Sequence, residues 1–259
     1  MTRETPVVRY DSSFAGWCAA CARLLDEGAP EPWFWSQATG KGEGMLFDAM
    51  DIVAAGMDEA LLDRFFVLLR PVGGIALLSD LFYLFLSEAA DRETLMFRMV
   101  RISLEQGRRG RLWHSHPDAR RAGMLIDSTR REAHRARGLL RFSELGDGTL
   151  YARHAPKHDV THLVVGHFRR RMPGERWVIH DEARGYGMAW DGSNLLQVNQ
   201  FPADVNSLLS DAERRFRACW QTFFRELAVP ERHNPRLQRH FLPERFRKYL
   251  PELAGDRLD

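Results

Sequence analysis

Residues 139–145 and 149–155 alternate between apolar and polar side chains, and Gly146-Asp147-Gly148 joins them. A three-residue connection with two glycines between alternating runs is a hairpin signal. It constrains the fold more than any other stretch, because a slip of one residue would turn every side chain to the opposite face. The expected register sets Leu145 opposite Thr149 and Arg141 opposite Arg153. Arg141, Ser143, Tyr151 and Arg153 then share one face, with Phe142, Leu150 and Ala152 on the other. Two arginines beside a tyrosine on a sheet surface suit phosphate contact and base stacking. The alternative is that acids such as Asp181 or Glu182 pair with these arginines across the sheet.

The segments around the hairpin extend this pattern. Val7 to Tyr10 reads as a strand, and Asp11, Ser12 or Ser13 can cap a helix over residues 14–26. A loop is expected over 28–44, with a strand at 33–35. Leu61, Leu62, Phe65, Phe66 and Leu69 fall at helical spacing, as do Leu77, Leu78, Leu81, Phe82 and Phe85. Ser115-His-Pro-Asp118 has the form of a capping box, opening a helix that should run to Arg137 and stop at Gly138. Asp159 can cap a helix through Arg171, ended by Pro173-Gly174, before a second strand pair at 176–181 and 186–190. Ser210-Asp-Ala-Glu213 is a further capping box, ahead of a helix bearing Phe216, Trp220, Phe223, Phe224 and Leu227. The expected class is α+β, a small, mostly antiparallel sheet packed against a helical half. Residues 1–259 read as one compact unit, with a strand-helix and helical section over 1–110 and a basic α+β core over 111–252.

Composition narrows the function classes. The net charge is +2 over 259 residues, which excludes a uniformly basic coating. The only lysines are Lys41, Lys157 and Lys248, so the basic side is almost entirely arginine. Arginine offers a rigid fork for phosphate or carboxylate, although a base-composition bias produces the same skew. Placement is more informative: residues 101–141 hold eleven arginines against Glu105, Asp118, Asp127 and Glu132, a local excess of +7. Within it Arg131 and Arg135 lie four apart on one helix face, with Arg130, His134 and Arg137 beside them. Such a strip is either a solvated face or a surface for an external anion. No secretory leader pattern opens the chain, and residues 61–86 are too charged for a membrane span. Three cysteines make no disulfide framework, so a cytoplasmic setting is expected.

His167 follows Val160, Leu163 and Val164 at helical spacing, which reads as an apolar face. It is either a hydrogen-bonded core histidine or a general acid/base oriented by Asp181, with Glu132 as a third candidate. Arg170 beside it could bind an anionic substrate or cover the helix end. His158 and His162 are spaced to share a metal, but sequence fixes no third ligand, so no metal site is assigned. Cys18 and Cys21 read as small buried residues within a helix. Gly40-Lys41 lacks the pattern of a phosphate loop, and no dinucleotide or iron–sulfur signature occurs. No cofactor is therefore expected.

Several blocks together resemble a bacterial family of unknown function described as probable DNA metabolism proteins. They are Glu132-Ala-His134-Arg135 with Gly138 and Arg141-Phe142, Tyr151-Ala152, Pro156, His167-Phe168 with Arg171, and Trp177-Val-Ile-His-Asp181 with Arg184. The tail Arg232-His-Asn234-Pro-Arg-Leu-Gln238, Pro243, Arg245 and Leu250-Pro-Glu252 is similar to the family's ending, and Tyr10-Asp-Ser-Ser-Phe14 to its opening. Phe246-Arg247 departs from the family's usual tyrosine-tryptophan before Lys248. Members are typically neighbours of a radical-SAM protein thought to modify or repair DNA, and a related domain is fused to uracil-DNA-glycosylase-like domains. The resemblance implies a role in DNA repair beside such a partner, and supplies no catalytic residues.

The reading that follows is a cytoplasmic DNA-binding accessory protein, with single- or double-stranded DNA held by Arg131, Arg135, Arg141, Tyr151, Arg153, Arg170 and Arg184. One rival is a phosphodiesterase or base-processing enzyme using His167, Asp181 and Glu132. Another is a protein-interaction scaffold whose tail, through Asn234, Gln238 and Arg245, docks a partner.

Overall fold

The computed structural model describes residues 7–36, 52–55, 58–107, 116–229 and 234–253. Lys41, Ser115, Arg232 and His233 lie outside them, and so do the Gly40-Lys41 motif, the Ser115 cap and the start of the tail motif. The chain divides into two compact units, Met1–Arg130 and Arg131–Asp259. The boundary falls inside one helix, and each unit is described by itself. Among the described residues no single helix is long and apolar enough to cross a membrane.

In the first unit β1 (Val7–Tyr10) is the central strand of a three-stranded sheet. It is flanked by β2 (Trp33–Ser36) and β3 (Ile52–Ala55), both parallel to it. The sequence reading anticipates β1 and β2 but no parallel sheet. Ser13 caps α1 (Phe14–Asp26) by accepting from the Gly16 amide, and the Asp11 carboxylate in turn accepts from Ser13. Three helices follow: α2 (Glu59–Leu69), capped by Asp58, α3 (Gly74–Phe85) and α4 (Arg92–Gln106). Trp17, Phe65, Leu77, Leu81 and Phe97 form the core, with Cys18 and Cys21 buried among them. Phe66, assigned to the same stripe as Phe65, is instead 46% exposed.

The next helix, α5 (Pro117–Leu139), passes through Gly138 and does not stop there. Gly138 stays helical because its left-handed option is not needed to close the helix. The last carbonyls find other donors: the Leu140 amide bonds Ala136, and the Arg141 guanidinium bonds the carbonyls of Gly138 and Leu140. The strand expected from residue 139 therefore begins only at β4 (Phe142–Glu144).

The second unit is a five-stranded sheet in the order β4-β5-β6-β7-β8. Its strands are β4, β5 (Leu150–His154), β6 (Trp177–Asp181), β7 (Tyr186–Trp190) and β8 (Leu195–Val198). Pairings are antiparallel except β5 with β6, which are parallel and joined by α6 (Thr161–Arg171). The class is α+β, as expected. β8 is an addition that the sequence reading lacks. The hairpin has the expected register, with Ser143 opposite Tyr151 and the Leu145 amide bonded to Thr149. Gly148 adopts a positive φ of 79°, and the Asp147 carboxylate accepts from the Thr149 amide and hydroxyl. Phe142, Leu150 and Ala152 turn inward onto Ala133, Ala136, Val164, Phe168 and Trp177. The opposite sheet face is left for the site.

One long helix and two short ones complete the second unit. Ser210 caps α7 (Asp211–Glu226), although Glu213 binds Arg217 and so does not complete the box. Asn234 caps α8 (Pro235–Phe241), and α9 (Glu244–Arg247) follows. Glu132, on α5 and only 1% exposed, ties this end of the chain down. Its carboxylate accepts from the Lys157 and His158 amides and from Arg245 Nε, at 2.9, 2.7 and 2.7 Å. Removing it would leave a partly buried guanidinium and two amides without their acceptor. Glu132→Ala should therefore destabilise the chain by about 3–5 kcal/mol in denaturant unfolding, with Glu132→Gln costing less. A loss below about 1 kcal/mol, the level of an exposed pair, would show that this carboxylate is not an anchor.

Candidate nucleic-acid interface

Arg141, Ser143, Tyr151 and Arg153, the four residues that the hairpin register sets on one face, line a common pocket of about 220 Å³. Two further chain segments wall it. Val205, Asn206 and Arg217 come from the approach to α7 and from α7 itself, and Lys248, Tyr249, Leu250 and Pro251 from the turn after α9. The walls are tied to each other by Gln221 Nε2, which donates to the Pro251 carbonyl, and by Trp220 Nε1, which donates to Glu252. Floor and wall are joined where Arg217 donates to the Ser143 hydroxyl. Ser143 Oγ thus acts as acceptor on one side and keeps its own proton for another partner.

Four cations and three acids set the local field. Arg141 lies 3.6 Å from Glu252, and Arg217 donates to Glu213 at 2.7 Å. A single carboxylate, Glu182, serves both Arg153 at 3.4 Å and Lys248 at 3.8 Å, and also accepts from the Tyr249 hydroxyl. Only the Arg217 pair is tight. The Tyr249 ring lies under Lys248 and beside Arg153, at 4.6 and 6.0 Å, a cation–π arrangement. The expectation that acids pair with these arginines is thus met for Arg153 by Glu182, and for Arg141 by Glu252, while the cations stay in excess.

Tyr151 forms part of the pocket floor, and its hydroxyl bonds His180 Nδ1 at 2.8 Å. Burial pushes its phenol up to about 12, so it remains protonated at neutral pH. Burial also lowers the His180 pKa, with Glu182 opposing, which favours the neutral ring. His180 stacks on Phe201 with ring centroids 3.5 Å apart. Gly187 makes room for this stack: a Cβ there would stand 2.6 Å from the Ile179 carbonyl and 3.0 Å from the Phe201 ring.

The remaining expected DNA contacts divide. Arg131 is exposed and Arg135 half-buried, and neither makes an ion pair among the described residues. Arg170 is exposed at the end of α6. Arg130 and Arg137 are engaged, the first with Asp80 at 2.6 Å and the second with the Leu163 carbonyl. Arg184 is a clasp within the fold, bonding Asp181 and the carbonyls of Pro156 and Lys157.

The three expected catalytic groups do not share a pocket. Glu132 is spent as the anchor described above. Asp181 is fully buried and bonds Thr161, Arg184 and the Ala183 amide. His167 packs edge-on against Phe168, and desolvation with Arg137, Arg170 and Arg171 nearby lowers its pKa. The buried stripe of α6 is Thr161, Val164, Val165 and Phe168, so His167 lies at its margin. The histidine linked to Asp181 is His154, at the paired end of β5. Its Nε2 bonds Thr161 Oγ1 at 3.0 Å, and that hydroxyl donates to Asp181 Oδ2 at 3.3 Å.

His158 and His162 diverge as well. His158 is buried, its amide on Glu132, while His162 stacks on Tyr186 at 5.3 Å. Asp159, expected to cap α6, accepts from the Tyr186 hydroxyl instead. Among the described residues no three His, Cys, Asp or Glu side chains converge on one point. Of the docking candidates, Asn234 caps α8, Gln238 accepts from Arg247 and Arg245 is held by Glu132. Phe246 and Arg247, where the chain departs from the resemblance, are 4% and 5% exposed, so that departure falls in the interior. Sequence reasoning missed Arg217, Lys248, Tyr249 and the His180–Phe201 stack. Only the Glu213–Arg217 spacing and the Leu250-Pro-Glu252 block hinted at the walls.

His154 supplies a pH test. Desolvation, with Arg184 and His180 adding to it, lowers its pKa to about 3 from 6.5. The unfolded chain takes up this proton at pH 6.5 and the folded chain only near pH 3, so stability rises with pH across that window. Its contribution is lost on acidification at up to about 1.4 kcal/mol per pH unit. Asp181, raised by burial, adds an opposite slope above pH 3.8. Wild type should therefore lose its stability advantage over His154→Gln between pH 6.5 and 4 in denaturant titrations. Parallel curves would show that His154 takes up its proton normally when folded.

No curated protein and no solved structure matches the chain. A family model described as "Domain of unknown function (DUF4130)" matches residues 90–252, which include every residue of the pocket. The chain belongs to that family of domains of unknown function.

Proposed function

We propose that this chain is a DNA-binding accessory protein in DNA repair or modification, with the pocket on the β4–β5 face as its main contact. One observation carries the reading: a single concave site assembles Arg141, Arg153, Arg217 and Lys248 with two tyrosines, from three separate segments. The Arg153 guanidinium, 3.4 Å from its acid, can turn to a phosphate at little cost, whereas Arg141 is also held by the Gly138 carbonyl at 2.9 Å. The Tyr249 ring offers a face for an unpaired base. Arg131, Arg135 and Arg170, outside the pocket, would add sequence-independent backbone contacts.

The accessory half of the proposal rests on a second surface. α7 meets its own unit through Glu213, Arg217 and Gln221, and leaves Phe216, Phe223 and Leu227 at 62%, 53% and 62% exposed. An apolar stripe of this kind marks an interaction surface. The partner implied by the family resemblance is a radical-SAM or uracil-DNA-glycosylase-like enzyme, which would supply the chemistry.

Single-stranded DNA should bind the full chain at low salt, and log K should fall linearly as log salt rises, by about 0.7 per phosphate neutralised. Arg153→Ala should make this dependence shallower and weaken binding several-fold across sequences. Absence of binding in fluorescence anisotropy at low ionic strength would overturn the proposal. For the partner, Phe216→Ser with Phe223→Ser should abolish co-purification with such an enzyme while DNA affinity holds. Loss of both together would place the stripe in the DNA contact instead.

A further inference from the structure

We infer that the pocket receives the phosphomonoester at the end of a nucleic-acid strand, in preference to an internal phosphodiester. The inference rests on the proposed DNA-binding reading and names the part of the DNA that this site takes. Its first ground is shape. The floor is the β4–β5 face, and the two walls are linked to each other by Gln221–Pro251 and Trp220–Glu252 and to the floor by Arg217–Ser143. These links tie the three segments together around the site, which favours a group arriving end-on over a continuous strand passing through. A group arriving end-on needs only one opening. The volume of about 220 Å³ also lies below the roughly 300–1,000 Å³ of ordinary cofactor sites, which suits one phosphate with its sugar.

The second ground is the donor set. An internal phosphodiester carries one charge and two free oxygens, whereas a terminal phosphate carries close to two charges at neutral pH and three acceptor oxygens. Donors reach the pocket from separate segments: the guanidiniums of Arg141, Arg153 and Arg217, the Lys248 ammonium, the Ser143 hydroxyl proton and the Asn206 side chain. Arg217 is locked by Glu213 and Ser143, so it is preset, while Arg153 and Lys248 share one acid. The site therefore holds four cations against three acids, a surplus of one, and its donors outnumber the two oxygens that a diester leaves free. Tyr151, held protonated with its hydroxyl on His180, adds no negative charge to the floor.

The test uses the full chain and short labelled single-stranded oligonucleotides of one sequence. They carry a 5′-phosphate, a 3′-phosphate or hydroxyls at both ends, and are compared with a covalently closed circle and with competition by free deoxynucleoside monophosphate. One phosphorylated end should bind about tenfold more tightly than the hydroxyl-ended strand or the circle, the ratio given by one further hydrogen bond to a charged group. Arg153→Ala and Lys248→Ala, both at partly exposed positions, should remove that difference while thermal unfolding stays unchanged. Binding of the free monophosphate, read as a thermal shift, with no oligonucleotide binding would keep the phosphomonoester site and remove the DNA reading. Equal affinity for phosphorylated, dephosphorylated and circular DNA would keep the DNA reading and overturn this inference. A preference that survives both substitutions would place the end-recognition elsewhere and overturn it as well.

Discussion

The carboxylate of Glu132 holds the second unit in the shape that the pocket requires. It projects from α5, is buried, and accepts from two successive amides after β5 and from Arg245 on α9. A buried carboxylate left alone would cost several kcal/mol, so its burial is tolerable only because three donors converge on it. The consequence is positional. The loop after β5 is fixed at one end of the sheet, and α9 is fixed so that the turn at 248–251 faces the β4–β5 surface. A residue that sequence alone offers as an acid/base candidate is instead the anchor of one pocket wall.

The pocket itself is an electrostatic compromise. Four cations face three acids, and the three longer pairs are at 3.4–3.8 Å, outside the 2.7–2.9 Å of a strong charge-assisted bond. Partly exposed pairs at these distances contribute little to stability, on the order of 0–1 kcal/mol. Their acids keep the guanidiniums from repelling one another without holding them firmly. The arrangement preserves a positive site for an incoming anion at small cost to the fold. Outside the pocket, Arg184 and Arg130 are tied into carboxylates and carbonyls and serve the structure, and within it Arg141 serves it in part through the Gly138 carbonyl.

Local patterns in the sequence announce the floor of this site but not its walls. The hairpin register follows from a short glycine loop and a period of two, so Arg141, Ser143, Tyr151 and Arg153 share a face as read. The end of α5 is misread because a side chain from the next segment, Arg141, does the capping that a glycine usually permits. On α6 the apolar stripe is placed one residue off, which rotates the helix by about 100° and makes His167 look central. The buried stripe begins at Thr161, and the histidine that meets Asp181 comes from a strand. Arg217, Lys248 and Tyr249 reach the floor across some 70 to 100 residues of chain, as the Arg217–Ser143 contact illustrates with a separation of 74. No periodicity records such a contact.

Hydrogen exchange of the full chain with and without a single-stranded oligonucleotide tests the central claim most directly, because it locates the contact without disturbing it. The account predicts slower exchange at the amides of the β4–β5 hairpin, the start of α7 and residues 248–251, with a smaller effect at the end of α6. Protection confined to α6 and its Arg169–Arg171 end, or none at all under conditions where the oligonucleotide binds, would contradict it.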